Sequence, residues 1–185
     1  MKLADYGLHL LRVYEDTITD GDGMRYSFYL AGCSHRCPFC HNPQSWNPRE
    51  GKLLTDEILE THIQNILRNT LLAGVTLSGG DPFFNPAGLL ALLTILKART
   101  NANIWCYTGY RIEELAATPE LLAPLEYIDT LVDGPFIKAI HDQDIINEVN
   151  GGEELLFRGS SNQRIIPNPY LMALEVSRQL HKHSN

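Results

Sequence analysis

No stretch of the 185-residue chain approaches the roughly 18 consecutive apolar residues that a membrane helix needs, so no membrane span is expected. The start, MKLADYGLHLL, also lacks the charged-then-apolar order of a secretory signal, because its one Lys is followed by an Asp before any apolar run. A cytosolic protein is therefore expected. Basic excess is missing too: 15 Lys and Arg stand against 22 Asp and Glu, a net charge of -7. Neutralising a phosphate backbone needs clustered Lys and Arg, so nucleic acid is not an expected partner. Internal repeats, low-complexity tracts and linker-like shifts of composition are absent, and the chain is too short for two comfortable cores. A single domain over 1–185 follows, with 1–24 read as an N-terminal extension and 167–185 as a C-terminal helix and tail.

Cysteine is scarce, with four in all, and in a chain without an export signal these point to metal ligands or free thiols rather than disulfides. Three crowd into eight residues, CSHRCPFC, as Cys33, Cys37 and Cys40. Cys106 stands alone in the apolar run IWCY and reads as a buried small hydrophobe.

Strand and helix patterns alternate around these cysteines. A strand-like run from Arg25 to Leu30 enters the cysteine loop, and Leu54 to Thr70 carries Leu and Ile at helical spacing, with Thr55 as its cap. The run AGVTLS then ends at Gly79-Gly80-Asp81-Pro82, and Asn85-Pro86 opens an apolar helix through Ala98. A strand over Ile104 to Tyr107 ends at Thr108-Gly109-Tyr110, and one near Ile128 to Val132 ends at Asp133-Gly134-Pro135. Short helices are expected in RIEELAA and after Thr118. LLFRG and QRII are candidate fifth and sixth strands, before a closing helix from Pro169 to Lys182.

Such alternation implies an α/β fold with a parallel sheet under helical cover. About 250 residues are typical of a closed eight-unit barrel, so the expected architecture is an open, partial (β/α) barrel of about five to six parallel strands. The cysteine loop and the three glycine turns all follow strand C-termini, the edge where parallel α/β folds collect active-site residues.

The cysteine spacing allows two chemistries. Three thiolates in one loop can hold a 4Fe-4S cluster while leaving one iron open to a small molecule, whereas protein clusters usually take four Cys ligands. A zinc site completed by His35 or His41, supporting an interaction module without catalysis, fits the same spacing. Gly79 and Gly80 add weight to the cluster, since they lack Cβ atoms at a strand end, where a ligand could approach the backbone, and Asp81 offers a carboxylate for an ammonium group. A structural zinc site needs no such neighbour.

Through CSHRCPFC and Gly79-Gly80-Asp81-Pro82 the chain resembles the radical S-adenosylmethionine (SAM) superfamily. It is similar, more narrowly, to the activating proteins of anaerobic (class III) ribonucleoside-triphosphate reductases. The narrower resemblance rests on the arginine that leads the first strand, His41-Asn42-Pro43, Trp46, Tyr107-Thr108-Gly109-Tyr110, Val132-Asp133-Gly134-Pro135-Phe136 and Phe157-Arg158-Gly159-Ser160-Ser161-Asn162-Gln163. It implies a single 4Fe-4S cluster on Cys33, Cys37 and Cys40, with SAM on the open iron. The adenine side would lie along Phe39, Cys40 and His41, and the methionine end near Gly79, Gly80 and Asp81, with Thr108 on the same rim. The implied partners are the reductase, whose glycine loses a hydrogen atom, and a flavodoxin- or ferredoxin-like electron donor. His41-Asn42-Pro43 also resembles the activating enzymes of pyruvate formate-lyase, so another glycyl radical enzyme or a small-molecule substrate stays open.

Other residues carry blander expectations. Asp133 reads equally as a ligand contact or a turn former, Arg158 and Arg164 as surface arginines, and Thr108 as a hydroxyl that could simply satisfy its turn. His9, His62, His141, His181 and His183 show no ligand spacing with the cysteines. Trp46 and Trp105 read as packing residues.

Overall fold

The computed structural model describes residues 2–152 and 154–182. Its frame is one seven-stranded sheet. Strand β1 (His9–Thr17) pairs antiparallel with β2 (Met24–Leu30), and the two-residue β3 (Lys52–Leu53) pairs with β1. Helix α1 (Asp56–Arg68) starts where the Thr55 hydroxyl accepts a hydrogen bond from the Ile58 amide, and it buries Leu59, Ile63 and Ile66. Strand β4 (Leu72–Gly79) runs parallel to β2. The Asn85 side chain then caps α2 (Pro86–Thr100), which buries Leu89, Leu92, Leu93 and Leu96.

Strand β5 (Asn103–Tyr107) lies parallel to β4, and the one-turn helices α3 (Ile112–Leu115) and α4 (Pro119–Leu122) lead to β6 (Thr130–Asp133), parallel to β5. Helix α5 (Lys138–Val149) crosses to β7 (Arg164–Pro167), antiparallel to β6, and α6 (Pro169–Lys182) closes the chain. The sheet order is β3-β1-β2-β4-β5-β6-β7, with β3 and β7 as its unpaired edges, so the sheet is open.

The expected five to six parallel strands are four: β2, β4, β5 and β6. QRII does form β7, but antiparallel, and LLFRG lies in turns. The segment read as an N-terminal extension contains β1, which is hydrogen-bonded along β2. Strand β1 escapes the hydrophobic pattern because it lies near the sheet edge, where only the short β3 covers its outer side and Leu10 alone of its residues is buried. Helix α5 escapes it as well, since none of its residues is fully buried.

Strand register divides the parallel sheet into two unlike faces. Tyr26, Phe28 and Leu30 align with Val75, Leu77, Ile104, Cys106 and Leu131, and all belong to the apolar core. The alternate positions are Arg25, Ser27 and Tyr29 on β2, Thr76 and Ser78 on β4, and Trp105 and Tyr107 on β5. Parallel strands are usually apolar on both faces. Here Arg25, Ser27 and Thr76 are polar and at most 1% exposed, so the second face is a buried polar wall.

Candidate metal centre and cofactor pocket

The polar wall ends in a cavity of about 270 Å3 at the C-terminal ends of β2, β4, β5 and β6. Cys33, Cys37 and Cys40 line it together with Gly79, Gly80, Tyr107, Thr108 and Gln163. All three thiols are free and partly exposed. The loop that carries them turns through left-handed backbone at Arg36 and Phe39 (φ 47° and 61°), and its last turn is closed by Cys40 N donating to Cys37 O at 3.1 Å. Burial pushes the thiols of Cys33 and Cys37 up, a cost that a bound cationic centre reverses. The Asn42 amide donates to Cys40 Sγ at 3.4 Å, the kind of outer contact that tunes a metal-bound sulfur.

The donor set fits a cluster better than a single ion. Among the described residues no three His, Cys, Asp or Glu side chains converge closely enough to hold one metal ion, whereas tetrahedral zinc needs donors about 2.0–2.3 Å from one centre. His35 Nε2 lies 2.6 Å from Asp81 Oδ2, and the His41 ring packs on Phe136 with centroids 5.1 Å apart. The Asp81 hydrogen bond raises the His35 pKa against the opposing effect of burial.

Gly79 and Gly80 line the cavity, but their missing Cβ atoms serve the chain first. A Cβ on Gly79 would lie 2.5 Å from Leu30 N, and one on Gly80 would lie 2.4 Å from Gly32 O. The pair is locked to the cysteine loop by Gly80 N donating to Leu30 O at 2.7 Å and Asp81 N donating to Gly32 O at 2.8 Å. Asp81 is buried, and its carboxylate accepts from four donors: Phe83 N, Thr108 Oγ1, Gly109 N and His35 Nε2. Four donors fill the acceptor sites a carboxylate has. Thr108 in turn accepts from Tyr110 N, so its hydroxyl satisfies its own turn.

Other expected residues are dispersed. The Phe39 side chain is 73% exposed, with Lys138 Nζ 5.8 Å from its ring centroid, while Cys40 and His41 face the cavity. Asp133 accepts from Ile112 N and from Arg164, which also pairs with Glu113, so both Asp133 and Arg164 brace β6, β7 and α3. Arg158 lines a neighbouring cavity. Cys106 is fully buried, and burial pushes its thiol well up. Trp105 packs against Phe157 and under Arg25. His62 packs on Tyr26 and Phe28. His181 lacks a described side chain and His183 lies outside the described residues.

The turn at Gly134 lines the cavity with the other rim turns, whereas sequence reasoning gave no cavity role to Gln163 or Phe136 and missed the approach of His141, whose ring lies 6.0 Å from that of His41. It also missed the polar wall, although the starts of RYSFYL and VTLS alternate polar and apolar residues with period two. A second cavity, about 620 Å3 between α5 and residues 150–161, contains none of the cysteine or glycine motif residues.

An open α/β sheet with a three-cysteine loop and a glycine ledge on its C-terminal rim is the frame of an iron-sulfur protein. A family profile described as a 4Fe-4S single cluster domain matches residues 19–166. The anaerobic ribonucleoside-triphosphate reductase-activating protein of Haemophilus influenzae is 34% identical over 163 residues, covering 85% of this chain and 97% of that protein. The protein of the same name from Enterobacteria phage T4 is 32% identical over 160 residues, covering 85% and 92%. That of Vibrio cholerae is 36% identical over 158 residues, covering 82% and 93%. The chain belongs to this family of anaerobic ribonucleoside-triphosphate reductase-activating proteins.

Proposed function

We propose that the chain activates an anaerobic ribonucleoside-triphosphate reductase, with Cys33, Cys37 and Cys40 holding a 4Fe-4S cluster and the adjoining cavity holding SAM. The observation that carries this reading is the opening of three free thiols and the Gly79-Gly80 ledge onto one cavity at the ends of adjacent parallel strands. When bound, the cluster and SAM supply a one-electron reductive cleavage of the sulfonium, giving methionine and a 5'-deoxyadenosyl radical that takes hydrogen from a glycine Cα.

The chain's own residues bind, orient and shield. Cys40 and His41 border one side of the cofactor, and the Gly79-Gly80 backbone the other. Asp81 and Thr108, their polar atoms occupied within the chain, act by holding the ledge and the cysteine loop together rather than by meeting an ammonium group. The buried polar wall keeps bulk water from the reacting carbon, which must meet one target atom. The sheet in this reading is an open partial barrel of the radical SAM type, and its open side admits the glycine-bearing segment of the reductase. A flavodoxin- or ferredoxin-like protein supplies the electron.

The test mixes anaerobic, reconstituted protein with SAM, a reductant and a candidate reductase, and looks for a glycyl radical by electron paramagnetic resonance. A radical signal that requires all components is expected. SAM cleavage without a radical on that reductase, but with one on a pyruvate formate-lyase, would reassign the partner.

A further inference from the structure

His35 sits between two of the three loop cysteines, and its surroundings form a socket. Its Nε2 lies 2.6 Å from Asp81 Oδ2, and its ring meets the Tyr110 ring edge-on, with centroids 4.5 Å apart. The third wall is the missing side chain of Gly109: a Cβ there would lie 2.6 Å from His35 Cδ2. Gly109 N also donates to the same Asp81 oxygen that His35 meets. The turn after β4 and the turn after β5 are thus shaped around one side chain of the cysteine loop.

A loop of free thiols with two left-handed residues has little apolar contact to hold it, since Ser34, Arg36, Pro38 and Phe39 are all exposed. Its order must come from a few specific attachments. We propose that His35 is a positioning residue, which plugs into Asp81, Gly109 and Tyr110 and holds Cys33 and Cys37 at the cavity before iron arrives. This rests on the assignment of those cysteines to a cluster. It also ties the cluster loop and the cofactor ledge into one rigid unit, because Asp81 follows Gly80 directly.

Two variants test the socket from opposite sides. His35→Ala removes the plug. Gly109→Ala fills its seat without demanding an unusual backbone and leaves His35 and Asp81 in place. Hydrogen exchange of the iron-free, full-length protein should quicken over residues 33–41 by roughly tenfold in both, the order of effect of losing a hydrogen bond to a charged group. Exchange in β4 and β5 and the thermal midpoint should hold. In reconstituted protein, iron should be stripped by a chelator about tenfold faster. His35→Gln, whose amide nitrogen can stand where Nε2 stood, should restore much of the protection.

Unchanged loop exchange and unchanged iron loss in both variants would overturn the proposal. So would loss of cooperative folding in His35→Ala, since the residue would then support the whole sheet and not the loop. If the unaltered protein took up no iron, the cluster assignment would fall, while the exchange comparison would still decide whether His35 orders the loop.

Discussion

Cys106 and the three loop cysteines separate the chain's sulfur chemistry into two kinds, and substitution reads the difference. Cys33→Ala, Cys37→Ala or Cys40→Ala should each abolish reductive SAM cleavage and lower bound iron. Cys106→Ala should leave cleavage intact and cost about 1 kcal/mol of stability, as a small buried truncation does; equal loss from all four would contradict it. Arg25 is the less familiar case. It is 1% exposed, pairs with no carboxylate among the described residues, and donates instead to Thr76 Oγ1, Val75 O and Asn103 O beneath the Trp105 ring. Burial pushes its pKa down to about 10. Arg25→Met should destabilise the fold by about 3 kcal/mol in chemical denaturation, because buried carbonyls lose their donor. A neutral result would show that water or neighbouring amides replace the guanidinium.

At the scale of elements, α1 meets the sheet through His62, whose Nδ1 lies 2.7 Å from the Tyr26 hydroxyl. Burial lowers the His62 pKa below its ordinary 6.5 and raises that of Tyr26 to about 12. A histidine kept neutral by folding binds its proton more readily in the unfolded chain. Its contribution is therefore present above pH 6.5 and is lost as pH falls below that value. His62→Gln should show a shallower loss of stability between pH 6.5 and 5 than the unaltered protein; an identical slope would remove His62 from the account. At the other edge, Arg164→Gln should cost roughly 1–2 kcal/mol, since it strands the buried Asp133 while Arg164 itself is 40% exposed. SAM affinity should not change, and a large loss would assign Arg164 to the ligand site.

Across the whole molecule, what was legible in the sequence followed periodicity and local chemistry. The cores of β2, β4, β5 and β6, the Thr55 and Asn85 caps and the cysteine loop all announce themselves within a few residues. What was illegible depends on partners distant in sequence. Strand β1 is defined by hydrogen bonds to β2 and β3, and the antiparallel sense of β7 by its return across β6. Asp81 looked like a ligand because nothing local reveals that His35 and Thr108, 46 and 27 residues away, fill its oxygens. The site as a whole depends on three sulfurs holding a cluster with one iron left open. Electron paramagnetic resonance of the reduced, reconstituted protein with and without SAM tests that most directly. About four irons per chain and a cluster spectrum that shifts when SAM is added are predicted. A spectrum indifferent to SAM, or a colourless protein holding one zinc, would contradict the account.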